Sequence, residues 1–280
     1  MRRGITVIAL IIVLVILAIV VMLLIPVVSN VRRAAARMNC QNNLRQIGLG
    51  CHNYRDTFQV FPAGTHPGTT LPPEQRLSFY VTLLPYLECD PTYGRLMKEE
   101  SWDSDTNREV PDYGRRLFKC PDWLNERGYE NEANQKTGYL SVTNYVGIAG
   151  LGADAATRGT DSPGIGMFGY DRTLKNGDVK DGLANTMMLI ETGYEVGPWL
   201  RGGPSTVRGI ELTGGPITGD GLPFGGTHFR QAWIFQPPRP VAFHILLADA
   251  SVREVRNAVD PAILAALATV AGGEVIPAGW

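Results

Sequence analysis

The chain is poor in the residues that most often carry chemistry: its 280 residues include only four histidines and four cysteines. It has no Gly-x-Ser-x-Gly elbow, no His-Glu-x-x-His pair and no phosphate-binding glycine loop. Those absences remove the usual signatures of a serine hydrolase, a zinc protease and a nucleotide enzyme, and no enzymatic activity is expected. Neither sign of charge is in excess. Lysine and arginine total 26 against 27 acidic residues, so a net charge of −1 leaves no basic footprint for nucleic acid. Internal repeats are missing too, which excludes a solenoid. One stretch lacks charge altogether, from Ile5 to Val28.

That stretch is the longest apolar run, interrupted only by Thr6 and Pro26. As a helix it would reach about 36 Å, against a bilayer core of about 30 Å. It greatly exceeds the core of a cleaved secretory signal, although Met1-Arg2-Arg3 gives it a short basic start. A single membrane span over 5–28 is therefore expected, with the lipid bilayer as its partner. Arg2 and Arg3 precede it while Arg32, Arg33 and Arg37 follow it, so charge alone does not orient the span.

Glycine and proline are plentiful, 32 and 19, and predict a loop-rich domain over 29–280. Its first element continues the span as a helix. Cys40, Leu44, Ile47, Cys51, Tyr54 and Phe58 form an apolar stripe, opposite Asn39, Asn42, Arg45, Asn53 and Asp56. One helix is expected from Ile5 to about Thr57, then a short one over Leu77–Leu87. Strand-like runs follow at Asn144–Ala149, Ile165–Tyr170, Thr186–Thr192, Val207–Leu212, Gln231–Phe235, Val241–Ala248 and Ser251–Val255. Their spacing favours an antiparallel sheet, the last two strands joined by a turn at Asp249-Ala250. Asp260 and Pro261 then start a helix to about Ala271, and Gly272-Gly273 stops it. The fold class expected is α+β.

Arg3-Gly4-Ile5-Thr6-Val7-Ile8, ahead of the apolar run, resembles the cleavage and methylation signal of type IV prepilins. The stretch from Met38-Asn39-Cys40 through Gln46-Ile47-Gly48-Leu49, with His52-Asn53-Tyr54, is similar to a bacterial prepilin-like family. That family carries a C-terminal domain of unknown function and is named for a terminal pattern of His, nine residues, Asp-Gly. Leu83–Glu88, Cys120-Pro121-Asp122, Asn144-Tyr145-Val146-Gly147, Gly166-Met167-Phe168, Asp178–Thr186 and the ending Ala268-Thr269 with Ala271-Gly272-Gly273-Glu274 match it as well. The resemblance implies a pilin-like fold, a leader over 1–4 and processing by a prepilin peptidase between Gly4 and Ile5. It also implies an N-terminus in the cytoplasm, a domain displayed outside the cytoplasmic membrane, and other pilin-like subunits as partners. Two features depart from it. Pilins place a glutamate fifth after the cleavage glycine, where this chain has Ala9. The terminal motif is altered as well: neither His228 nor His244 stands nine residues before Asp249, and the glycine is Ala250.

Four cysteines in such a domain, Cys40, Cys51, Cys89 and Cys120, are candidates for disulfides. Cys40 and Cys51 lie eleven residues apart on one helix, about 16 Å, too far to bond. Because Cys40 and Cys120 sit in the family-like motifs, the resemblance favours their pairing; buried free thiols are the alternative. Asp178, Asp181 and Asn185 offer oxygen donors suited to calcium, although the spacing fits no EF-hand and such a stretch is more often an Asx turn leading into a strand. No other cofactor is expected. His228, His244 and Asp249 read as a structural hydrogen-bonding group before a turn rather than as catalytic residues. Arg32, Arg33, Arg37 and Arg45 are expected to face lipid headgroups, not nucleic acid. The leading function is a membrane-anchored pilin-like or pseudopilin structural protein, outside the bulk of a filament. The alternative is an anchored binding module for a glycan or other ligand, for which Tyr170, Trp199, Trp233 and Phe235 would supply an aromatic surface.

Overall fold

A computed structural model describes residues 2–110, 117–123, 142–212, 214–219, 221–230, 239–277 and 279–280, with side chains omitted at 2–8, 23, 25–27, 90, 229–230 and 239–240. Helix α1 spans Arg2–Phe58 as a single element. Its C-terminal half follows the expected stripe: Cys40, Leu44, Ile47 and Cys51 are fully buried, and Tyr54 packs partly against them. Phe58 departs from it, at 55% exposed, because Gln59 turns the chain away with φ +62°. In the N-terminal half the described side chains from Ala9 to Val28 are exposed. Leu10 to Leu17 and Ile19 to Met22 are exposed in succession, and so is Leu24. Among the described residues no helix is long and apolar enough to cross a membrane. The longest unbroken run of described apolar side chains, Ala9 to Met22, is about 21 Å of helix.

Short helices follow: α2 (Phe79–Leu83), which runs into a 3-10 turn at Leu84–Leu87, then α3 (Asp90–Arg95) and α4 (Asp105–Arg108). Ser78 caps α2 by accepting the Tyr80 amide, and a buried Leu83-Leu84 continues the core. The sheet comprises β1 (Tyr145–Leu151), β2 (Met187–Glu191), β3 (Val207–Ile210), β4 (His228–Arg230), β5 (Arg239–Leu247) and β6 (Val252–Arg256). Helix α5 (Pro261–Ala268) closes the chain's regular structure, with Asp260 Oδ1 accepting the Ala262 amide. It stops three residues short of the expected end, where Thr269 turns extended.

The sheet is mixed, not purely antiparallel. Strand β1 pairs antiparallel with β2 but parallel with β3. Strand β5 is the organiser. One edge carries β6 along most of its length; the other carries β2 beside Ile245–Leu247 and β4 beside Arg239–Ala242. Strands β2 and β4 thus meet end to end along β5, and the gap between them falls at His244. The expected strand at Ile165–Tyr170 runs beside β1, its Gly166 and Phe168 amides donating to Ala149 and Ile148, but pairs only as an isolated bridge. The run at 231–235 lies outside the described residues.

Both faces of the sheet are covered, which is why β1, β2 and β5 read as near-continuous apolar runs. On one face Leu44 and Ile47 of α1 pack with Phe79, Tyr80, Phe168 and Leu246. On the other, Leu264 and Leu267 of α5 pack with Ile148, Ile190, Phe243 and Ile245. Alternation along β5 then decides where His244 goes. Phe243 and Ile245 face α5, so His244 points to the α1 side.

Candidate functional site

On the α1 side, chemistry-bearing side chains from four segments converge. Cys40 comes from α1, Cys120 from the loop before β1, Glu191 from the last residue of β2, and His228 from the first of β4. One ligand atom from each lies within 4.8 Å of all the others, and all four residues are buried.

Each segment is tethered locally. The Cys120 amide donates to Asn144 Oδ1 at 3.0 Å, while Asn144 Nδ2 donates to the Thr192 carbonyl just past Glu191, also at 3.0 Å. The neighbouring Lys119 carbonyl accepts Asn43 Nδ2 from α1 and the Tyr145 hydroxyl from β1. Asn144 thus fastens the cysteine loop to the end of β2, and Asn43 fastens it to the helix. The family-like stretches around Cys40, Cys120 and Asn144, far apart in sequence, are one place in the fold.

Glu191 is the centre of the cluster. Its Oε2 accepts the His244 backbone amide at 2.6 Å and the Thr227 hydroxyl at 3.0 Å. The first of these bonds supplies what the ladder lacks, since the gap between β2 and β4 gives that amide no strand partner. His228 Nε2 stands 3.2 Å from the same oxygen, outside hydrogen-bond alignment, and His244 Nδ1 stands 3.4 Å away. The two rings meet edge to face, centroids 4.3 Å apart. Glu191 Oε1 and His228 Nδ1 have no hydrogen-bond partner among the described residues. A buried polar atom left so costs about 1–3 kcal/mol.

The electrostatics follow from burial and proximity. Burial pushes the Glu191 carboxyl up, but the His228 and His244 imidazoles outweigh it and hold the group below the usual carboxylate range. Burial also disfavours a charged His228; the Glu191 carboxylate reverses that and lifts its pKa to about 11. Cys40 and Cys120 are raised by burial, Cys120 well above an ordinary thiol. Their Sγ atoms lie 2.8 Å apart and both are free thiols, so the structure brings the expected disulfide partners together without joining them.

Sequence reasoning missed Glu191. The available signal was a single acid closing the apolar strand Met187-Met188-Leu189-Ile190, where a buried charge demands partners. Of the terminal-motif residues, His228 and His244 come together, and Asp249 does not join them. Its carboxylate accepts the Ser251 amide at 2.9 Å in the exposed β5–β6 turn. His244 Nε2 instead faces the Gln41 side-chain amide of α1 at 3.0 Å and Glu254 at 3.8 Å.

The three calcium candidates take separate tasks. Asp181 accepts the Gly272 and Gly273 amides at 2.7 and 2.9 Å, Asp178 accepts the Lys175 amide at 2.7 Å, and Asn185 donates to the Asp181 carbonyl at 3.0 Å. Asp178 also borders a surface cleft of about 350 Å³ with Asp161 and Lys180. Arg37 turns toward the domain, 4.0 Å from Asp122 and 3.9 Å from Glu254. Tyr170 and Trp199 are core residues, 8% and 1% exposed, so neither offers a ligand-binding aromatic surface; Trp233 and Phe235 lie outside the described residues.

Fold and site together define a helix-borne α+β domain with a buried cluster of thiols, imidazoles and a carboxylate. The chain belongs to the family described as "Protein of unknown function (DUF1559)", whose model matches residues 29–221. That match takes in Cys40, Cys120 and Glu191, and ends before His228. No curated protein and no solved structure matches it.

Proposed function

We propose that this protein is a membrane-anchored, pilin-like structural or assembly protein, its α+β domain carried outside the cytoplasmic membrane on α1. The observation that carries this reading is the bare apolar half of α1. Between Leu10 and Leu24 its described large side chains are 44–71% exposed, and consecutive residues cover every side of the helix. An apolar surface without a polar face suits hydrocarbon better than a partner groove, which would need only one stripe. The charge-free run Ile5–Val28 extends it to bilayer length.

The buried cluster supports a structural rather than an enzymatic role, because Cys40, Cys120, Glu191, His228 and His244 present no surface to a substrate. Leader cleavage after Gly4 by a prepilin peptidase belongs to the same proposal. Fractionation of cells producing the full chain tests it. The protein should sediment with membranes, resist alkaline carbonate and dissolve in detergent. Recovery in the soluble fraction would overturn the reading.

A further inference from the structure

We propose that Cys40, Cys120, Glu191 and His228 form a structural binding site for a borderline divalent metal ion, zinc above all. Sulfur, imidazole nitrogen and carboxylate oxygen are all donors that zinc takes, and four protein ligands close its tetrahedral shell as in structural sites. Here they come from α1, the Cys120 loop, β2 and β4, so an ion at their centre would fasten the helix to the sheet at the break in its ladder.

Three observations converge. The ligand atoms of all four residues lie within 4.8 Å of one another, and none of the four is exposed. Glu191 is also held from behind: Thr227 and the His244 amide occupy Oε2 and leave Oε1 without a partner among the described residues. Such outer contacts orient metal-binding carboxylates. Finally, both ring nitrogens of His228 lack an aligned hydrogen bond. A Cys40–Cys120 disulfide would occupy the sulfurs and leave Glu191 Oε1 and His228 as they are; a metal ion serves all four.

The geometry requires one adjustment. Zinc–sulfur bonds of about 2.3 Å place two sulfurs of a tetrahedron about 3.8 Å apart. The thiols, now 2.8 Å apart, must therefore separate by about 1 Å, within reach of side-chain rotation. On binding, the ion replaces the protons of both thiols and that of the His228 imidazolium, with no change of oxidation state. This inference is independent of the membrane reading.

The test uses the full chain purified in detergent without reductant or chelator. Elemental analysis should find one zinc per chain, and mass spectrometry should find Cys40 and Cys120 reduced. Cobalt(II) should replace zinc and give the intense near-ultraviolet sulfur-to-metal band and visible bands of a tetrahedral thiolate site. Cys120→Ser and Glu191→Gln should weaken zinc binding by more than about 100-fold, and His244→Gln, beside the four, by about 10–100-fold. Cys89→Ser should leave binding unchanged. A wild-type protein lighter by two hydrogens, with a mapped Cys40–Cys120 disulfide, overturns the proposal. So does a wild-type cobalt spectrum of oxygen-only coordination, which is informative even if the variants fail to fold.

Discussion

Ala250 holds φ +66°, where a Cβ crowds its own backbone and glycine does not. It lies in the β5–β6 turn, whose ends are tied by the Leu247 amide to the Ser251 carbonyl at 2.9 Å. Left-handed geometry costs a non-glycine residue about 1–2 kcal/mol, and glycine's extra freedom in the unfolded chain returns about 0.4–1. Ala250→Gly is therefore expected to stabilise the protein by about 0.5–1 kcal/mol in urea unfolding; a lower midpoint would contradict this. Cys51 predicts a pH dependence. Burial pushes its thiol up to about 12 from 9.0, so between those values the unfolded chain has lost a proton that the folded chain keeps. Stability contributed by the neutral thiol is complete below pH 9 and falls as pH rises, by at most about 1.4 kcal/mol per pH unit. Comparing denaturation at pH 8 and pH 10, Cys51→Ala should lose less stability than wild type. Equal losses would remove Cys51 as a contributor. Single residues were unevenly legible in the sequence. The helical stripe announced Cys40 and Cys51, but Glu191 and His228 acquire meaning only when β2 and β4 meet along β5, which no local pattern encodes.

Helix α1 was the most legible element, because its 3.6-residue period and its continuous apolar half are local properties of the sequence. It approaches the sheet closely at Gly48, where an added Cβ would lie 3.0 Å from Leu246 Cδ1 and 3.1 Å from the Ala250 methyl. Ile47, fully buried beside it, tests that packing. Ile47→Asp would place a carboxylate in the apolar core and cost more than the roughly 2–5 kcal/mol of truncation to Ala. A protein beginning at Ser29 and carrying it is expected to lose soluble expression, whereas the same protein without the substitution should fold. Unchanged melting of the variant would refute the packing. The strands were less legible. Strands β1, β2 and β5 carry strong apolar runs, whereas β6 is marked only by Val252 and Val255 after the turn. Three-residue β4 is too short for a period, and the parallel pairing of β3 with β1 is fixed by distant hydrogen bonds, such as the Gly147 amide to the Thr206 carbonyl at 2.7 Å. The Ile165–Tyr170 run has a strand's composition, but it pairs with β1 only at the Gly150–Ile165 bridge, where Gly150 and Gly164 hold φ of +117° and +70°.

At the scale of the whole molecule, the proposed anchor carries two linked predictions. Mass spectrometry of the mature chain should find Ile5 as the N-terminus; an intact Met1 or cleavage beyond residue 25 would sink the prepilin reading. Ala9 then bears on what the anchored molecule does. In pilins, which the N-terminal motif resembles, the fifth residue of the mature chain is a glutamate whose carboxylate meets a neighbour's N-terminal amine within the membrane. An ionisable group alone in lipid costs about 2.5–3.5 kcal/mol on insertion scales, so the pairing both relieves that cost and drives subunits together. Ala9 removes the cost and the drive at once. A helix exposing only Leu, Ile, Val, Met and Ala from Ala9 to Met22 has no electrostatic reason to seek another copy in the bilayer. The protein is thus expected to rest in the membrane and to join a filament, if at all, at its tip or base. Shearing surface filaments from producing cells and comparing their protein with the membrane fraction decides the matter. Predominant recovery in the membrane, released only by detergent, is the expected result. Should this chain, with Ala9 unchanged, make up the bulk of the sheared filaments, the inference from Ala9 is wrong.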